Sequence, residues 1–139
     1  MKQTERRLLD GLLRLPTAPF REHYVQGAIE RFARRHELGV RRDRYGNLYV
    51  AYRKGRAEPV AFTAHMDHPG FEIVTGGARA KAKFLGGVEA ANMLGASVLC
   101  YADPAGRGGA VHPAEPVRGR VVHVTSVPVA GRRPDLVLD

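Results

Sequence analysis

The chain has 139 residues, 44% of them hydrophobic and 26% charged, and carries a formal net charge of +8. These proportions exclude a disordered polymer and predict one domain-sized unit that buries roughly 68% of the surface its unfolded form exposes. No apolar run nears the ~20 residues that cross a bilayer, and a single cysteine, Cys100, excludes an internal disulfide and a Cys-based zinc finger. The amphipathic N-terminus lacks the continuous apolar core of a signal peptide, so a cytoplasmic location is expected. Most basic residues are arginines spread along the chain, with lysine only at Lys2, Lys54, Lys81 and Lys83. No zinc knuckle, aromatic-interleaved basic strand or well-placed Gly-x-x-Gly loop accompanies them. The charge is therefore read as compositional bias, with nucleic acid not expected as a partner.

Leu8, Leu9, Leu12, Leu13 and Leu15 form one apolar stripe over 4–15, the pattern of a helix that Pro16 ends. A second helix is predicted over 22–36, with Val25, Ile29, Phe32 and Ala33 on one face, Glu22 complementing its dipole and Gly39 at its C-terminal cap. From Val40 the period becomes alternating. Segments 40–45 and 48–52 flank Gly46-Asn47 and predict a hairpin with a tight turn. The run 59–64 is apolar without alternation, the pattern of a strand covered on both faces, and 71–74 predicts a further strand. Beyond Thr75 helical periodicity fades. Candidate strands are 80–85, 96–101, 119–127 and 135–138, separated by turn-rich stretches such as Asp103-Pro104-Ala105-Gly106 and Val111-His112-Pro113. The fold class expected is α/β, an α/β layer to about residue 75 followed by a small barrel-like β unit.

Chemistry concentrates in Ala64-His65-Met66-Asp67-His68-Pro69-Gly70. If 59–64 continues as a strand, His65 and Asp67 project to the same side. A metal-binding imidazole commonly donates its second N–H to a carboxylate, which fixes the tautomer. The pair also follows an apolar strand, where open α/β sheets bind ligands. Spacing alone leaves two readings open: a metal ligand with its orienting carboxylate, or a strand-end histidine bonded to Asp67 for local stability. His68 is read as a rim or substrate-side residue. His23, His36, His112 and His123 show no metal-ligand spacing with His65. Cys100 lies in an apolar setting and is read as a small core residue. Gly86-Gly87, without a following Lys-Ser/Thr, is read as a turn or bulge, not a phosphate loop.

These residues resemble the Ala-His-Met-Asp-(Glu/Gln)-Ile-Gly motif of the tetrahedral or glutamyl aminopeptidase family of two-zinc metallopeptidases. Other segments look similar in the same order: 12–22, Asp43-Arg44-Tyr45-Gly46-Asn47-Leu48, Phe84-Leu85-Gly86-Gly87-Val88 and Asp135-Leu136-Val137-Leu138-Asp139. The resemblance implies the N-terminal part of a zinc-exopeptidase αβα catalytic domain over 1–75. It further implies an inserted small β-barrel used in assembly over 76–134, and a strand returning to the catalytic domain over 135–139. It implies that His65 ligates one of two Zn2+ (or Co2+) ions, that Asp67 is the catalytic residue orienting its ring, that peptides are substrates and that the barrel forms a homo-oligomer.

His68 and Pro69 depart from the family motif, at positions that shape the substrate pocket. The family's bridging aspartate, Glu-Glu pair and last acidic and histidine ligands have no counterpart in the sequence. A catalytic zinc takes three protein ligands, so the site is expected to be incomplete and the chain alone inactive. Two alternatives stand beside this reading: a non-catalytic assembly module, and a basic nucleic-acid-binding domain.

Overall fold

A computed structural model of the chain describes residues 2–55, 58–102, 115–125 and 135–138. The first helix, α1, spans Gln3–Leu13. It opens where the Glu5 carboxylate accepts the Lys2 backbone N–H at 2.8 Å, and stops ahead of Pro16, which disfavours helical geometry at Leu15. Its leucine stripe faces solvent: none of its residues is buried, and Leu13 is 55% exposed.

Helix α2, His23–Arg35, buries Tyr24, Val25 and Ala33 and half-buries Ile29 and Phe32, the predicted apolar face. Its end differs from expectation. The left-handed residue is Glu37, at φ 54°, and Leu38 N–H closes onto the Ala33 carbonyl at 2.9 Å. The chain thus leaves the helix two residues before Gly39, which instead opens strand β1 (Gly39–Arg42).

Strand β1 pairs antiparallel with β2 (Leu48–Ala51), in a register that sets Arg41 opposite Tyr49. The connection is a five-residue loop, 43–47, instead of a tight turn at Gly46-Asn47. Asp43 organises it. Its carboxylate accepts from the Tyr45 N–H, the Asn47 N–H and the Asn47 side-chain amide, each at 2.9 Å. Gly46, at φ 87°, supplies the left-handed residue the loop needs. Glu30 of α2 holds the hairpin through Arg42 at 2.8 Å.

The remaining strands are β3 (Gly70–Thr75), β4 (Ala80–Leu85), β5 (Ser97–Cys100), β6 (Val117–Val124) and β7 (Asp135–Leu138). They form one five-stranded sheet in the order β3-β4-β7-β6-β5, with every pairing antiparallel. The fold is thus mixed α and β. Among the described residues no ladder joins edge strands β3 and β5. By hydrogen bonding, 70–75 belongs with this sheet, and 135–138 lies at its centre between β4 and β6.

Strand β4 shows why the sheet holds together. Its side chains alternate, with Ala82 and Phe84 buried and Lys81 and Lys83 exposed, as a period of two requires when one face is covered. Ala82, Phe84, Met93 and Val121 form the core, and Phe71, Val98 and Cys100 pack against it. The Phe71 and Phe84 rings lie 5.5 Å apart. A short 3-10 turn at Ala90–Asn92 precedes Met93, and Gly95 N–H to Val121 O (2.8 Å) and Val121 N–H to Ala96 O (2.9 Å) tie that stretch to β6. Burying a side chain such as Phe84 contributes roughly 1.5–3 kcal/mol.

The run 59–64 is not the doubly covered strand that its composition predicts. It has no regular structure, makes no backbone hydrogen bond among the described residues, and leaves Val60 78% and Phe62 94% exposed. Strand propensity needs a hydrogen-bonded neighbour to become a strand, and none of the described strands pairs with this run. The stretches 103–106 and 111–113, His112 included, lie outside the described residues.

Candidate metal centre

Segment 65–69 connects the unpaired run to β3, and three contacts position it. The Thr17 hydroxyl donates to the Met66 carbonyl at 3.1 Å. Gly70 lies so close to the 17–18 turn that a Cβ there would stand 2.8 Å from the Ala18 Cβ. Gly86, at φ 143°, approaches Pro69 in the same way, where a Cβ would lie 2.9 Å from the proline Cβ. Both glycines therefore permit backbone approaches that any side chain would block.

Within this clamp His65 and Asp67 meet. His65 Nδ1 lies 2.9 Å from the Asp67 backbone carbonyl and 3.3 Å from its carboxylate Oδ1. A carbonyl oxygen only accepts, so Nδ1 carries the proton in that contact. The lone pair of the neutral ring then resides on Nε2. The His65 side chain is 81% exposed and that of Asp67 33%, so no apolar wall closes over Nε2. The arrangement offers solvent one imidazole nitrogen in a fixed tautomer, the state in which histidine ligates a metal.

The donor set stops there. Among the described residues no three His, Cys, Asp or Glu side chains converge on a point that could hold a metal ion. His68 is exposed and makes no polar contact among the described residues. His23 stacks on Tyr24 with ring centroids 4.2 Å apart, and His36 on Phe32 at 4.3 Å. His123 is exposed on β6. A zinc centre needs three protein ligands, so the described residues fit one ligand and its orienting group, and do not build a centre by themselves.

A cleft of about 600 Å³ is lined in part by Pro69 and Gly70. The 16–18 loop, the start of α2, the first half of β3 and strand β5 line it, and His65 and Asp67 do not. Arg21 and Glu72 pair beside it at 3.0 Å, both about half exposed. Nothing in the sequence pointed to this pairing. The two residues stand 51 positions apart, and only the docking of the 17–18 turn against Gly70 brings them together. Glu22, read as a dipole partner of α2, also accepts the Phe20 N–H at 2.9 Å. That bond supports Phe20 in a left-handed conformation, φ 70°.

The hairpin loop favours Asp43 as the anion. The Asn47 side-chain amide holds its carboxyl below the ordinary value, and the Asn47 and Tyr45 N–H groups and the Tyr49 hydroxyl add to this against some opposing desolvation.

Comparison with protein-family models, curated proteins and solved structures finds no match to the chain.

Proposed function

We propose that the chain is the N-terminal portion of a metal-dependent aminopeptidase, with His65 as one ligand of a dinuclear zinc or cobalt site and Asp67 as the group that orients its ring. One observation carries this reading: His65 Nδ1 is tied to Asp67 while Nε2 stays open to solvent. A purely structural histidine, bonded for local stability, gains nothing from an open second nitrogen. A ligand requires one. The motif resemblance supplies the reaction class, in which two bound ions would activate water and polarise the scissile carbonyl. Further ligands must come from residues beyond those described, and His68 at the exposed rim would face substrate.

Two assays test the reading together. The 139-residue chain supplied with Zn2+ or Co2+ should release no amino acid from peptides, because its donor set is incomplete; robust EDTA-sensitive release would overturn that. The product of the longest reading frame containing this sequence should show aminopeptidase activity that EDTA removes, added metal restores and His65→Ala abolishes. An active His65→Ala variant would sink the assignment.

Assembly through the sheet belongs to the same proposal. At that end of the sheet Leu99 on edge strand β5 and Val117 on β6 are 52% and 71% exposed, and their register sets them on opposite faces, so each face presents one apolar side chain. Light scattering that finds a strict monomer at high concentration would remove it.

A further inference from the structure

The β1–β2 hairpin has a feature that chain order hides. Register sets Arg41 directly across from Tyr49, and the Arg41 guanidinium lies over the Tyr49 ring, 3.8 Å from its centroid. At the loop the Arg44 guanidinium lies 4.7 Å from the Tyr45 ring centroid and donates to its hydroxyl. Significant cation–π pairs occur about once per 70–80 residues, so two between positions 41 and 49 mark a concentration. Both rings remain accessible, Tyr45 at 74% and Tyr49 at 44%.

The same carboxylate fixes both aromatic positions. Asp43 accepts the Tyr45 N–H at 2.9 Å and the Tyr49 hydroxyl at 3.3 Å. The one acid of the hairpin is thereby occupied by the loop itself. Arg41, Arg42 and Arg44 flank it in the hairpin, and Arg53 and Lys54 follow β2 in the chain. Of these, Arg42 is held by Glu30, which leaves the others to give this surface its positive character in a chain of net charge +8.

We propose that this hairpin binds single-stranded nucleic acid, with Tyr45 and Tyr49 as stacking platforms for bases and Arg41 and Arg44 neutralising backbone phosphates. Charge complementarity requires a polyanion. Pre-set tyrosine rings, each with an arginine over one face and the residue still accessible, select one that offers unstacked bases, since bases in a duplex are already stacked on one another. Such binding tolerates sequence, because every base has a π-face. The inference is independent of the metal-site reading, and its test involves neither metal nor peptidase activity.

The test is fluorescence anisotropy of a labelled oligothymidylate of about 12 nucleotides, within the site sizes single-strand binders use, titrated with the full chain at low salt. Binding should weaken as salt rises, with a log–log slope that falls by about 0.7 for each of Arg41→Gln and Arg44→Gln. Tyr45→Ala and Tyr49→Ala should each weaken binding by roughly 5- to 150-fold, the loss of one stacked base, with the slope unchanged. Tyr45→Phe should bind as the parent does. The chain holds five tyrosines and no tryptophan, so quenching of tyrosine emission by the oligonucleotide reads stacking directly, even if a variant fails to fold. No binding at low salt, parental affinity in both tyrosine-to-alanine variants, or no quenching overturns the proposal. So does equal binding to phosphatidylserine vesicles that ignores the tyrosines, which would make the hairpin a general polyanion surface.

Discussion

Two side chains carry most of the residue-scale chemistry. Asp43 has a folded-state pKa below its ordinary value of 3.8, chiefly because the Asn47 amide binds the ionised form. A depressed carboxyl stabilises the fold above its unfolded-state value, and that stabilisation is lost as pH falls through the lowered folded-state value. The Asp43 midpoint followed by NMR should therefore lie below 3.8, with the Tyr45 and Asn47 amide shifts moving along with it. Asn47→Ala should bring the midpoint back up; an unchanged midpoint would contradict the assigned cause. His65 permits an equally direct measurement. Because its Nδ1 faces a carbonyl, nitrogen-15 shifts of the neutral ring should report the Nδ1–H tautomer. A majority of Nε2–H would remove the open lone pair on which the metal reading depends.

At the scale of elements, exposure separates what holds the fold from what it leaves unused. Phe84 is 5% exposed in the β4 core, whereas Phe62 is 94% exposed in the unpaired run. Chemical denaturation should show Phe84→Ala losing about 3–5 kcal/mol, while Phe62→Ser changes stability by no more than about 0.5 kcal/mol. Equal losses would mean that 59–64 is packed in solution. Gly70→Ala forces a Cβ to within 2.8 Å of Ala18 and should cost about 1–3 kcal/mol. If the clamp is what brings Arg21 to Glu72, their coupling in a double-mutant cycle should disappear in that variant.

Across the whole molecule, buried contacts are unevenly shared. The core cluster belongs to the sheet and the turn beside it, whereas α1 has no buried residue and 59–64 has no backbone partner among the described residues. Hydrogen exchange should follow that division. Amides of β4 and β6 should be protected longest, while those of 60–64 should exchange at rates close to an unfolded peptide. Protection of 60–64 in the isolated chain would reveal a strand partner supplied by association.

Local patterns in the sequence were enough for the elements whose own residues decide them. The alternation of Ala80-Lys81-Ala82-Lys83-Phe84 specified β4, Pro16 specified where α1 stops, and the His-x-Asp spacing placed an acid beside an imidazole. What depended on distant neighbours could not be read there. Glu37 took the cap expected at Gly39 because the closing bond runs back to Ala33. The run 59–64 stayed unpaired because propensity supplies no partner. Arg41 reached Tyr49, and Arg21 reached Glu72, because strand register and the packing of a turn against Gly70 join positions whose separation along the chain carries no local signal.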